Sequence, residues 1–170
     1  LELQQSLAGK RVLLWSFSRQ TSAEDASQQT FDLVLHRLLE ESRCHVSLLT
    51  VDPRSTPLSA IESLDKLDAV VVCGDFSDAD LKYLDPLSNL SYLNVTATNV
   101  TGDGLARMKY LNKLTSLHAG SVQNIATLLE RVGEIPRLYQ LSLHADLLDD
   151  DSLKDIARCH NLKVLSIGMN

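Results

Sequence analysis

Two of the five histidines, His118 and His144, have the placement in this 170-residue chain that best suits chemistry. Each follows an apolar residue in one of two related segments, and His144 lies one pleat farther along its segment than His118 does. In neighbouring strands they would be diagonal neighbours, about 7–8 Å apart. A metal or catalytic pair also needs a third ligand or an acid, and the polar positions around them offer no Cys, Asp or Glu. The remaining histidines show no H-E-x-x-H or comparable ligand spacing and are His36, His45 and His160.

The acids and cysteines do not form a metal or catalytic site by their spacing. Asp149, Asp150 and Asp151 form the densest acidic run, and calcium prefers several oxygen ligands. No D-x-[DN]-x-[DN]-G loop is present, and an exposed helix start explains the run without a metal. No C-x-x-C motif, Ser-His-Asp set or reactive thiol stands out, so we expect no catalytic residue, cofactor or metal. The cysteines are expected to be small apolar fillers and are Cys44, Cys73 and Cys159.

Composition narrows the classes of partner. The net charge is -6, with 44% hydrophobic and 22% charged residues. Because nucleic acid binding depends on clustered Lys and Arg, and no such cluster is present, we expect no nucleic acid partner. No apolar run approaches the roughly 18 residues of a membrane span. The chain begins at Leu1 and stops at Asn170 after an apolar strand pattern, which suggests a piece of a longer protein.

A repeat positions these residues. Leu90, Leu114, Leu138 and Leu162 lie 24 residues apart. Each is followed three and five residues later by apolar residues, which are Leu93 and Val95, Leu117 and Ala119, Leu141 and Leu143, and Leu165 and Ile167. A fixed period of this length is typical of a solenoid, in which each unit packs against its neighbours.

Weaker units precede Leu90 at a spacing of 23 residues. The pattern predicts one unit at Leu67, Val70 and Val72, and a degraded unit at Cys44, Ser47 and Leu49.

The second half of each unit has apolar residues three apart, which predicts a short helix. These triplets include Leu58-Ile61-Leu64, Leu81-Leu84-Leu87, Leu105-Met108-Leu111 and Leu153-Ile156-Cys159. Helix starts are predicted at Thr56 before Pro57, at Ser77, at Thr101 and at the aspartates from 149 to 151. One unit differs, because residues 121–132 read as a longer amphipathic helix ended by Gly133.

One unit carries a recognisable motif. It reads Leu90-x-x-Leu93-x-Val95-x-x-Thr98-x-Val100-Thr101-Gly102-Asp103-Gly104-Leu105. This resembles a leucine-rich repeat of the bacterial type, L-x-x-L-x-L-x-x-T-x-V-T-D-x-G-L. The resemblance implies an α/β fold: a curved parallel sheet with helices on its convex side and a protein-binding concave face. The Asn or Cys ladder of many such repeats is interrupted, because the corresponding residues are Asp75, Thr98, Val122 and Asp146.

The first 43 residues predict a βαβ unit, with strands at Arg11–Phe17 and His45–Val51 and a helix at Phe31–Arg43. We expect residues 1–43 to form an N-terminal α/β cap on repeats spanning 44–170, as one continuous structural domain. An alternative is a flavodoxin-like nucleotide- or flavin-binding N-terminal half with a regulatory repeat region. That alternative rests on Ser16-x-Ser18-x-x-Thr21 after the first strand, although the match lacks the usual glycine.

The alternation of strand residues predicts which side chains lie on the concave face. The expected partner-binding residues are Tyr92, Asn94, Thr96, Ser116, His118, Gln140, Ser142 and His144. They are uncharged, and they favour a non-catalytic module that binds a protein or peptide. The last strand, Lys163 to Ile167, is expected to be an open edge through which the chain could associate with itself.

Overall fold

The computed structural model describes residues 11–14, 45–54, 58–62, 64, 66–120, 122–144, 146 and 148–168. Within these residues, seven strands form one parallel sheet in chain order. The strands are β1 (Arg11–Leu14), β2 (His45–Val51), β3 (Ala69–Val72), β4 (Tyr92–Asn94), β5 (Ser116–His118), β6 (Gln140–His144) and β7 (Val164–Gly168). The predicted helix at 31–43, residues 15–17 of the first predicted strand, and Ser16, Ser18 and Thr21 lie outside the described residues.

The repeat leucines form the core on one side of this sheet. Val70, Leu93, Leu117 and Leu141 face one another in register, and each is fully buried. The carbonyls at the strand starts hold this register, because each accepts two N–H groups from the following unit. The Ser91 carbonyl, for example, accepts from Thr115 at 2.7 Å and from Ser116 at 3.0 Å.

The predicted register of the first unit was wrong by two residues. Leu49 pairs with Val70, and Val51 pairs with Val72, so the spacing is 21 residues rather than 23. Both Leu49 and Val51 are fully buried. The residue that corresponds to Val70 is therefore Leu49 and not Ser47, and this strand follows the apolar pattern after all.

Short helices pack against the core side of the sheet. They are α-helices at Leu58–Ile61, Gly102–Ala106, Ile125–Val132 and Asp150–Ala157, and 3₁₀ helices at Leu81–Leu84 and Leu111–Lys113. Their buried residues, such as Leu105, Leu128 and Ile156, join the strand leucines in one cluster. In the described part of the chain, no helix is long and apolar enough to cross a membrane.

Of the four predicted helix starts, two are confirmed, one is wrong, and the start at Thr56 and Pro57 lies outside the described residues. The Thr101 Oγ1 accepts from the Gly104 N–H at 3.2 Å, and the Asp149 Oδ1 accepts from the Ser152 N–H at 2.8 Å. Ser77 caps no helix; its N–H and hydroxyl instead donate to the Asp80 carboxylate.

The helix predicted at 121–132 begins later but ends before Gly133, as predicted. It spans Ile125–Val132 and is preceded by Asn124 with a φ of 52°. Asparagine tolerates this left-handed backbone better than most residues do. Gly133 follows the helix with a φ of −61°, so it is not the left-handed glycine that the sequence suggested.

A carboxylate links successive units where the usual ladder is interrupted. The Asp78 Oδ1 accepts from the Thr101 N–H at 2.7 Å, and its Oδ2 accepts from the Thr101 hydroxyl at 2.6 Å. On the same side, Asp75 forms an ion pair with Arg54. The Asp78 contacts satisfy a backbone N–H and a hydroxyl at the start of the helix Gly102–Ala106.

The core-facing apolar side chains of β7 are exposed to solvent, unlike those of β3 to β6. Leu165 and Ile167 occupy the core-facing positions, yet they are 40% and 45% exposed, and Leu153 is 46% exposed. Leu153, which the triplet pattern places toward the core, is exposed in the same way. The buried residues of the helix Asp150–Ala157 are Ser152 and Ile156, four residues apart.

We predict that Gly102→Ala destabilises the fold strongly. A Cβ at this position would lie 2.1 Å from the Asn124 carbonyl oxygen, a backbone atom that cannot rotate away. Overpacking of this kind typically costs about 1–3 kcal/mol in the free energy of unfolding, and a backbone contact this close belongs to the upper end. Chemical denaturation should show the loss. Gly168→Ala is the matched control, since its Cβ would have no neighbour closer than 3.5 Å, and equal losses in the two variants would contradict the prediction.

Candidate partner-binding face

The strand register brings the predicted partner-binding residues together on the side of the sheet opposite the core. Tyr92 aligns with Ser116 and Gln140, and Asn94 aligns with His118 and Ser142. Thr96 and His144 follow farther along their strands, at the carboxyl end of the sheet. We call this set the polar face; it consists of Tyr92, Asn94, Thr96, Ser116, His118, Gln140, Ser142 and His144.

The polar face carries no Asp, Glu, Lys or Arg among its eight residues. Six of these side chains are half-buried, Thr96 is exposed and Ser116 is buried. Asn94 orders the strand end, because its Oδ1 accepts from the Thr96 N–H at 2.9 Å. The surface thus offers hydroxyl, amide and aromatic groups without a strong electrostatic field.

Tyr92 and His118 form a ring contact that the repeat pattern did not indicate. Their centroids lie 5.2 Å apart, and their planes are tilted by 42°. Such tilted pairs are favourable arrangements of aromatic rings. Burial lowers the pKa of His118 below its ordinary value of 6.5, so this imidazole is neutral at pH 7.

Ser116 lies beside this ring pair. It is 9% exposed, and its Oγ forms no hydrogen bond with the protein. Tyr92 is its direct neighbour on β4, and His118 lies two residues farther along its own strand, on the same face. Ser116 therefore lies next to both members of the ring pair on the polar face, and its side chain is buried there.

His144 lies between two glycines rather than against His118. The nearest side-chain atoms to an added Cβ at Gly120 would be His144 Cδ2 at 3.2 Å and Thr96 Cγ2 at 3.3 Å. On the other side, His144 Nε2 is 3.5 Å from the Cβ position of Gly168. Because Gly120 and Gly168 have no side chains, the His144 imidazole has space on both sides.

The residues at the carboxyl end of the sheet, such as Thr96 and His144, have counterparts in two earlier units that the sequence did not indicate. Cys73 and Asp52 follow β3 and β2 at the positions that Thr96 and His144 occupy in later units. Burial, and then the charge of Asp52, raise the pKa of the Cys73 thiol. The 23-residue spacing upstream from Thr96 would have identified Cys73. Asp52 could not be identified in this way, because it lies 21 residues before Cys73 and the sequence predicted a spacing of 23. A raised pKa disfavours a thiolate, so this cysteine is poorly suited to nucleophilic chemistry.

The structure assigns the acidic run a capping role. Hydrogen bonds from Ser152 lower the pKa of Asp149, which caps the helix Asp150–Ala157. Asp151 pairs with Lys154 in the first turns of the same helix. In the described residues, no three His, Cys, Asp or Glu side chains converge in a way that could hold a metal ion.

No family model and no curated protein matches this chain. Among solved structures, it is similar to the tropomodulin C-terminal domain of Caenorhabditis elegans, with a TM-score of 0.57, 14% identity, and coverage of 76% of this chain and 91% of that one. It is also similar to internalin C2 of Listeria monocytogenes, with a TM-score of 0.50 and 20% identity over 72% of this chain. The chain spans about half, 52%, of the length of internalin C2.

These likenesses, together with the parallel sheet and its short return helices, define a fold of the leucine-rich-repeat type. They do not favour the flavodoxin-like alternative.

We predict that His118 makes stability depend on pH. Its pKa in the folded protein lies below 6.5, so the unfolded chain binds more protons as the pH falls. The contribution of His118 to the free energy of unfolding is therefore complete above pH 6.5 and decreases as the pH falls from that value toward the lowered pKa of the folded state. NMR titration should show the lowered pKa, and denaturation from pH 8 to 5 should show a shallower loss in His118→Gln. An identical pH slope in the variant would contradict this assignment.

Proposed function

We propose that this chain is a non-catalytic protein-interaction module that binds a protein or peptide through the polar face. The observation that carries the proposal is the alignment of eight uncharged, hydrogen-bonding or aromatic side chains on the sheet surface opposite the core. The core side is packed with helices, whereas the polar face keeps half-buried groups without internal partners. Gln140, Ser142 and His144 make no side-chain hydrogen bond in the described part of the chain. An aromatic centre within a polar surround is typical of protein-binding surfaces.

The proposal includes the shape of the molecule. We propose that the sheet curves with the polar face on its concave side, as in a solenoid with helices outside. Residues 1–43 would form the cap of repeats spanning 44–170, of the bacterial subclass that the motif at Leu90 resembles. The similarity to internalin C2 and to the tropomodulin domain supports a leucine-rich-repeat fold, from which these finer features follow as expectations.

The absence of charge on the polar face indicates the class of partner. A phosphate backbone would find no Lys or Arg among the eight residues, so we expect no nucleic acid to bind there. Charged surfaces associate with strong salt dependence, whereas uncharged contacts do not. The partner's contact surface is therefore expected to be polar or aromatic and uncharged.

We predict that Tyr92→Ala and His144→Ala weaken partner binding, since both remove ring surface from the polar face. Truncation of a central aromatic typically costs about 1–2 kcal/mol or more, or roughly tenfold in affinity. Proteins captured by the immobilised wild-type chain should be identified by mass spectrometry and then measured individually by calorimetry at low and high salt.

Tyr139→Ala provides the matched control, because Tyr139 is 53% exposed just before β6 and lies outside the polar face. Equal weakening by Tyr139→Ala, or an affinity that falls steeply with salt, would count against this face.

We also propose that β7 supports self-association by pairing with a second copy. β7 is the edge strand of the described sheet, and Leu165 and Ile167 are 40% and 45% exposed there. An edge with unpaired backbone groups and apolar side chains readily accepts another strand.

We predict a concentration-dependent dimer by light scattering, and its loss in Leu165→Lys. The control is Leu153→Lys, which changes an equally exposed leucine on the neighbouring helix and leaves the strand edge intact. A wild-type chain that stays monomeric at high concentration would refute the pairing.

A further inference from the structure

Ser116 carries a hydrogen-bonding group that the fold leaves unused. Among the described residues, its Oγ is the one buried side-chain oxygen or nitrogen without a hydrogen-bond partner. A buried hydroxyl normally finds a partner, because desolvation without one is unfavourable. The fold does not require a hydroxyl at this point of the repeat, since the residues aligned with Ser116 on other strands include Ala69 and Val164.

We propose that Ser116 is the hydrogen-bond anchor of the polar face for an uncharged amide of the partner, covered in the unbound protein by Tyr92 resting on His118. This inference rests on the proposed function, because it names the chemical group which that same surface would recognise. Partner binding would move the tyrosine ring aside and bring the amide carbonyl to the Ser116 hydroxyl.

The side chains around Ser116 favour an amide over other acceptors. Gln140 is its direct neighbour on β6, and its own amide forms no hydrogen bond in the described part of the chain. The partner's carbonyl would accept from the Ser116 hydroxyl, and its N–H would donate to the Gln140 Oε1. A carboxylate would be desolvated here without a cation, since the polar face has no Lys or Arg and His118 is neutral at pH 7.

The Tyr92 ring, which we propose covers Ser116, can move aside. Tyr92 is half-buried, and its contact on the polar face is the tilted ring pair with His118. A tyrosine at the surface of a sheet can move between side-chain rotamers without disturbing the strand backbone. Opening would exchange one aromatic contact for the partner's contacts and would give the buried hydroxyl its hydrogen bond.

The test uses N-methylacetamide as the probe, because it carries one amide and no charge, and acetate as a charged comparator of similar size. Both are titrated into the ¹⁵N-labelled full chain and followed by NMR at Ser116 and Gln140. The variants are Ser116→Ala, Tyr92→Ala and the matched control Ser142→Ala, a half-buried serine on the same face. Melting temperatures of the two serine variants are measured in parallel.

We expect a saturable shift with N-methylacetamide in the wild type and in Ser142→Ala, a tighter response in Tyr92→Ala, and an affinity about fivefold or more weaker in Ser116→Ala. Ser116→Ala should also raise the melting temperature by about 2–4 °C, since it removes an unsatisfied hydroxyl. The proposal is overturned if Ser116→Ala responds like Ser142→Ala, if acetate binds as well as the amide, or if Tyr92→Ala shows no saturable shift.

Partner binding separates this proposal from the broader one. If Tyr92→Ala and His144→Ala abolish capture while Ser116→Ala does not, the face binds a partner but Ser116 is not its anchor. If the probe binds at Ser116 while the face variants capture partners normally, the polar face is not the partner-binding surface.

Discussion

Parallel pairing of each strand with the next is the interaction on which the rest of this structure depends. At the start of the strands, the carbonyls of Asp68, Ser91, Thr115 and Tyr139 each accept two N–H groups from the following unit. Because these paired bonds recur once per repeat, they hold β3 to β7 in register without a bulge. The same register stacks the leucines on one side and aligns the polar residues on the other, so core and surface arise from one set of backbone contacts.

The turns between strand and helix show how the chain tolerates an irregular repeat. Asp78 reaches the next unit and accepts from both the backbone and the hydroxyl of Thr101. The close approach leaves no space for a side chain at Gly104, where a Cβ would lie 2.1 Å from the Asp78 carboxylate. A single carboxylate with a glycine opposite thus satisfies a backbone donor and a hydroxyl of this turn. The units also differ in length, since β2 and β3 are related by 21 residues.

The polar face combines a regular backbone with an unusual local environment. Its side chains stand on a rigid sheet, which fixes their spacing before any partner arrives and lowers the entropic cost of binding. Within that frame, the rings of Tyr92 and His118 are in contact, burial lowers the pKa of His118, and the Ser116 hydroxyl is buried without a hydrogen-bond partner among the described residues. A buried hydroxyl without a hydrogen-bond partner makes the unbound protein less stable. The same hydroxyl favours a ligand that supplies the missing hydrogen bond.

The sequence by itself determined the period, the apolar positions from Leu67 onward, the helix caps at Thr101 and Asp149, and the residues of the polar face. These follow from periodicity, because alternation and spacing decide on which side of a strand a residue lies. Only the tertiary structure decided that Leu49 rather than Ser47 continues the core, that Leu153 is exposed, and that the rings of Tyr92 and His118 are in contact. Such features depend on the length of an irregular turn and on the size of cross-strand neighbours, and a pattern of residue types along the chain contains neither.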